Sequence, residues 1–212
     1  MAYPTVSAPY GLQPINSVDG KPYAGATRLI PIASTYNTAI FNGDIVRVAA
    51  GGTIQKSTVT VDSTTAAANN TYGVFMGVQY VNAQGQTVQA QYYPGNAAAS
   101  SAVAYVVDDP MAAFKVAVTF SGNATVTTVN QSIVGTNMSV RQGTGSNITG
   151  DSAVSVYATN AQGNAAGSAA ALPVRVVEVV PATATSAGAF TEVVVKLNNP
   201  QILRAAALDY TA

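Results

Sequence analysis

With no His and no Cys, the first candidates for general acid–base work in this chain are its carboxylates: nine acidic residues among 212. Triads built on either missing residue are excluded, and a zinc site would have to consist of carboxylate oxygens alone. Asp108 and Asp109 form the only adjacent acidic pair. Neighbours on a strand face opposite ways, so these two are poorly placed to share one substrate atom. A glycosidase needs two carboxyls facing each other across about 5–10 Å. With backbone carbonyls, either aspartate offers calcium a ligand, but capping a turn is the ordinary role of such a residue. The glycines at Gly143, Gly145 and Gly150 superficially suggest a phosphate loop. They lack the Lys-Ser/Thr ending and a following helical pattern, so they read as a surface loop. No cofactor is expected.

The elements that would position these groups read as strands. Residues 27–32 are apolar around Pro31, which places them at an edge or a bend. Asn42, Gly43 and Asp44 signal a turn into a hairpin over 45–48 and 53–56, turning at 50–52. A second hairpin pairs 73–81 with 87–93; Val74, Met76, Val78 and Tyr80 share one face by strand alternation. Residues 103–107 read as buried on both sides. Asp109 is placed to cap a single helical turn that begins at Pro110. Beyond it Phe114, Val116, Val118 and Phe120 alternate against Lys115, Ala117 and Thr119. Further strands are expected near 125–129, 152–158, 172–180 and 190–197, and short helices are admissible at 34–39 and 201–207.

About ten to twelve strands with turn punctuation predict an all-β fold. The expected arrangement is two small antiparallel β-barrel or sandwich subdomains, 27–110 and 111–212, hinged near Asp108; a single barrel is the alternative. Residues 1–26 carry Pro4, Pro9, Pro14 and Pro22, which suits an extended N-terminal arm rather than a sheet interior. The arm also carries Tyr3, Tyr10, Leu12 and Ile15, which argue for docking against something; a floppy terminus is the alternative.

The surface such a chain must present is unusual. Charged residues make up 8% of it and the net charge is zero, while 48% is apolar; an ordinary soluble domain is about 25% charged. Nine scattered basic residues make no patch for nucleic acid. The first ten residues lack a basic n-region, and no run approaches the roughly 18 apolar residues of a membrane span. The chain is therefore expected to be soluble and made in the cytoplasm, with no membrane partner. An exterior of Thr, Ser, Asn, Gln and Ala repels its own kind weakly and is desolvated cheaply. Strand edges without lysine gatekeepers leave their hydrogen-bonding rows open to another chain. These properties point to an assembly subunit, and symmetric homo-oligomers are the commonest assemblies.

Several turn-centred motifs carry a resemblance: APYGLQPI at Ala8 to Ile15, IFNGDIV at Ile40 to Val46, AGGTI at Ala50 to Ile54 and GVFMG at Gly73 to Gly77. YVVDDP at Tyr105 to Pro110 with Phe114, and LPVRV at Leu172 to Val176, fit the same pattern. Together they resemble the virion structural proteins of tailed bacteriophages, and more closely their head decoration, or cement, proteins. The resemblance implies a homotrimer on the outer surface of the icosahedral head, bound to the major capsid protein and clamping it against the pressure of packaged DNA. Several modest contacts made together would hold such a trimer by avidity. The capsid-binding arm would then be Tyr3, Pro4, Pro9, Tyr10, Leu12, Pro14 and Ile15. Other readings are a tail, fibre-base or minor head component, a bacterial surface or adhesin module, and an enzyme. A major capsid protein is disfavoured because no long helix is legible.

Overall fold

The structure is a computed structural model that describes residues 6–57, 71–95, 100–120, 124–126, 129–159, 172–183, 190–198 and 200. Tyr3, Pro4 and the helix expected at 201–207 lie outside the described residues. The chain is all-β. Its strands are β1 (Gln13–Ser17), β2 (Arg28–Pro31), β3 (Ile45–Val48), β4 (Ile54–Lys56), β5 (Gly73–Val81), β6 (Thr87–Ala90) and β7 (Ser100–Val107). Then follow β8 (Ala112–Phe120), β9 (Ala124–Thr125), β10 (Asn137–Arg141), β11 (Ser155–Tyr157), β12 (Val174–Val180) and β13 (Glu192–Leu197). Helical structure among the described residues is confined to three-residue 3-10 turns. None of it is long and apolar enough to cross a membrane.

Two sheets form, and sheet membership changes between Val107 and Ala112. The first runs β2-β7-β5-β3-β4 with β6 beside β5, and a bridge from Ile32 to Ile54 ties its two ends together. The second pairs β8 with β13, β13 with β12, β12 with β10, β10 with β11 and β11 with β8, a hydrogen-bonded ring of five strands. β-branched residues supply the ring: Val174, Val176, Val193 and Val195 are all essentially buried, with Phe114, Val116 and Val118 from β8. Closing a sheet in this way hides edges that would otherwise pair with another chain.

Five expectations need correction. Pairing is not wholly antiparallel: β11 lies parallel to β8, because β9 and β10 intervene and give the chain room for a crossover. Val74 and Val78 do not share a face. A bulge between Phe75 and Gly77 flips the alternation, so Val74 joins the second-sheet core while Phe75 and Val78 join the first. Asp109 caps a tight turn and not a helical one: its carboxylate accepts the Met111 N–H at 2.8 Å and its carbonyl accepts the Ala112 N–H at 3.1 Å. Residues 34–39 hold a turn closed by the Tyr36 N–H on the Ala33 carbonyl, with no helix. In β7, Val103 and Tyr105 are only half-buried, so that strand is covered fully on one face alone.

The N-terminal segment, expected as an extended arm rather than a sheet interior and as docking against something, contributes a strand at a sheet edge of its own chain. Residues 13–17 form β1, an edge strand of the second sheet that pairs antiparallel with β8. Pro14 is tolerated because the strand is at an edge, where a missing N–H costs least. The second core also takes in Ile45, Val74 and Val107 from the first half, so the two sheets pack into one body of side chains.

Candidate functional site

The N-terminal segment crosses the junction of the two sheets, and the polar groups gathered beneath it make the site. At Gly11 the strap donates its N–H to the Val154 carbonyl at 3.2 Å, and at Leu12 to the Gly43 carbonyl at 3.0 Å. Leu12 is fully buried. Backbone meets backbone here: a Cβ on Gly43 would stand 2.8 Å from the Leu12 nitrogen and 2.9 Å from Gly11 Cα. Gly43 also holds φ +87°, which a side chain would oppose.

Directly after Gly43, Asp44 forms a buried node. Its carboxylate accepts the Phe41 N–H at 2.9 Å and the Ser152 hydroxyl at 2.6 Å, and pairs with the Lys56 ammonium at 2.9 Å. The Lys56 ammonium also lies 5.8 Å from the centre of the Phe41 ring. Asn42, next door, donates to the Met76 carbonyl at 2.8 Å and accepts from Gln13 at 3.1 Å. Residues from both sheets and from the strap therefore share one network. Low local dielectric strengthens such a network when every member is satisfied.

A second node anchors the strap upstream. The Tyr10 hydroxyl donates to the Glu192 carboxylate, which pairs with Lys115 at 3.3 Å. Burial first, then the hydrogen bond and charge of Glu192, push the Tyr10 hydroxyl well above the ordinary tyrosine range. A proton held harder by the folded chain stabilises the fold below about pH 10; that contribution drains away as pH climbs from there toward the folded value. Urea unfolding of Tyr10→Phe is expected to show about 1–2 kcal/mol lower stability at neutral pH, from the lost charge-assisted bond. Its decline above about pH 10 should be shallower than that of the unsubstituted chain.

These carboxylates are engaged with cations and hydroxyls of their own chain. Asp108 takes Arg28 at 2.5 Å and the Tyr72 hydroxyl at 3.1 Å, and Asp109 caps its turn. Among the described residues no three acidic, His or Cys side chains are grouped to hold a metal. The glycine loop at 142–150 packs rather than cradles. Ring atoms of Phe41 lie 2.3 Å from where a Cβ on Gly145 would stand, and the Gln142 amide donates to the Ser57 carbonyl at 2.7 Å. What this arrangement does is fasten three pieces of chain together.

The seven residues expected to bind a capsid divide accordingly. Tyr3 and Pro4 lie outside the described residues. Leu12 faces its own core and is unavailable to a partner, because burying it there completes the second hydrophobic cluster. Pro14 lies in the β1–β8 ladder opposite Phe114, and Pro9 and Tyr10 are half-buried. Ile15 is 41% exposed. Sequence reading missed its exposed companions Val18 and Met111, which the Val18 N–H joins to each other by donating to the Met111 carbonyl at 2.8 Å. It also missed Asp44, Lys56 and Ser152; the turn signal around Asn42 was the only hint of them. Comparison of the chain with protein-family models, curated proteins and solved structures finds no match.

Proposed function

We propose that this chain is a non-enzymatic assembly subunit: a head decoration protein of the tailed-bacteriophage kind, sitting as a homotrimer on the outer face of the major capsid protein. The observation that carries the reading is the strap. One side of it completes the protein's own core through Leu12, while Ile15 and Val18 remain at the surface. A contact strip held this firmly has little ordering entropy left to lose when it meets a lattice. The sparsely charged exterior supports the same reading, as does β6, whose uncharged outer edge has no ladder partner among the described residues.

The test is binding to purified expanded phage shells, with the bound chain counted by quantitative gel and located by electron cryomicroscopy. Hundreds of copies over the head surface are expected; a few copies in the tail would move the protein to a tail or minor head role. Ile15→Asp combined with Val18→Asp is expected to weaken shell binding about tenfold or more while the fold survives, since both side chains are exposed. Unchanged binding by that variant would remove the strap from the contact.

A further inference from the structure

We infer that the groove beside β1 receives an arginine side chain from the protein surface on which the strap lies. The inference rests on the assembly-subunit reading and names a group that the partner must present. The groove measures about 340 Å³, the scale of a small ligand site. Asp109 lines it and is exposed. One of its oxygens, Oδ1, holds the Met111 N–H at 2.8 Å, and the other takes no hydrogen bond among the described residues. No lysine or arginine among the described residues stands within ion-pair reach of it. Its neighbour Asp108 differs, because it already holds Arg28 and the Tyr72 hydroxyl. The two other charges that line the groove cancel: Asp19 and Lys21 pair at 2.8 Å. The groove therefore carries one uncompensated negative charge.

Its apolar lining comes from Pro22, Tyr23 and Met111, and the walls are already set. On one side a tight hairpin is closed by the Ser17 N–H on the Lys21 carbonyl at 2.8 Å and the Gly20 N–H on the Ser17 carbonyl at 2.9 Å. Ser17 Oγ stitches that hairpin to the Asp109 turn by donating to the Met111 carbonyl at 3.0 Å. A guest with a cationic head and an apolar stem fits such a mixture. Arginine suits it better than lysine. Its planar guanidinium is weakly hydrated and packs on apolar and aromatic faces while keeping donors for a carboxylate. A phosphate would be repelled by the same carboxylate. A metal would lack ligands, since no three acidic, His or Cys side chains gather among the described residues. Continuity with the strap's exposed apolar residues makes the guest part of a protein surface. Met111 is 41% exposed, and Val18, 39% exposed, donates its N–H to the Met111 carbonyl at 2.8 Å. An arginine that enters the groove brings its flanking residues onto Val18.

Nuclear magnetic resonance on the isotope-labelled full chain tests this with two end-blocked peptides. Both are glycine chains; one carries a central arginine, the other citrulline, its neutral isostere. Saturable shifts of the Lys21, Tyr23 and Met111 amides are expected with the arginine peptide alone. Asp109→Asn keeps an oxygen for the Met111 N–H, so the turn is retained. It should bind the arginine peptide about fivefold more weakly, the upper end for one solvent-exposed charge pair. Should that variant fail to fold, the unsubstituted chain in molar sodium chloride replaces it and should lose affinity likewise, because exposed charges are screened. No saturable shift with arginine, equal binding of the citrulline peptide, or an affinity indifferent to both Asp109→Asn and salt each overturns the inference. So do shifts that fall outside the groove. Shell binding by the same chain separates the two claims. Arginine filling the groove of a chain that binds no shell would sink the decoration reading and leave the groove's chemistry standing. Shells bound through Ile15 and Val18 by a chain whose groove ignores arginine would do the reverse.

Discussion

Asp44→Ala is expected to lower unfolding free energy by about 3–5 kcal/mol, the usual consequence of removing one member of a buried ion pair. The carboxylate is fully buried, and its loss strands three donors at once: the Lys56 ammonium, the Ser152 hydroxyl and the Phe41 N–H. Lys56 is the worst placed of these, because only 17% of its side chain reaches solvent. For a chain of this length the loss corresponds to a melting temperature lower by roughly 10 °C or more. The double variant Asp44→Asn, Lys56→Met should recover much of that stability, because no unpaired charge remains inside. A double-mutant cycle in urea therefore separates the value of the pair from the penalty of an orphaned ammonium. If Asp44→Ala cost less than about 1 kcal/mol, water would have to reach Lys56 and the node would not be the fastening described here.

That node explains which parts of the molecule were legible in the sequence. The alternation of Phe114, Val116 and Val118 announced β8, and the turn residues between Val48 and Ile54 announced the β3–β4 hairpin, because strand period and turn chemistry are local. β10 went unread: Asn137, Ser139 and Arg141 leave only Met138 and Val140 as apolar signal, and its identity as a strand comes from neighbours on both sides. β1 was hidden differently. Its Pro14 argues against a strand in isolation, and only the edge position it takes beside β8 makes that proline harmless. The bulge in β5 left no mark at all, since two residues facing one is a property of the pair rather than of either strand.

Polar contacts were the least legible. Tyr10 and Glu192 lie 182 positions apart in the chain, and Asp44 and Ser152 lie 108 apart. No local spacing encodes such a pairing; it exists only once both sheets have packed. The residue types did carry a weaker message. In a chain with nine acids, an aspartate set among Phe41, Ile45 and Val46 is placed where an unpaired carboxylate would be costly, so some partner is required. The exposed apolar residues followed the opposite logic. Ile15 stood out because prolines surround it, whereas Ile148 looked like one more residue of a Gly, Ser and Asn loop until the hydrogen bonds around Ser146 showed it held outward.

The strap's role as structure, and not merely as an attached tail, is tested most sharply at Gly43. Gly43→Ala is expected to cost about 3–5 kcal/mol, of which roughly 1–2 kcal/mol is the left-handed backbone and the rest the forced separation of strap and turn. The new methyl would meet main-chain atoms, the Leu12 nitrogen at 2.8 Å and Gly11 Cα at 2.9 Å, and main chain cannot rotate aside as a flexible side chain would. Gly85→Ala provides the matched control: its φ is +78°, yet nothing lies within 4 Å of the position a Cβ would take. It should show the backbone penalty alone. Hydrogen exchange supplies the local readout, because the Leu12 amide is held by the Gly43 carbonyl and should lose its protection selectively in Gly43→Ala. Limited proteolysis should then cut within residues 6–17 before it cuts the sheets. Equal costs for the two glycine variants would mean that the crossing yields to a methyl group. A strap that yields so easily would no longer explain how Ile15 and Val18 are kept in place for a partner.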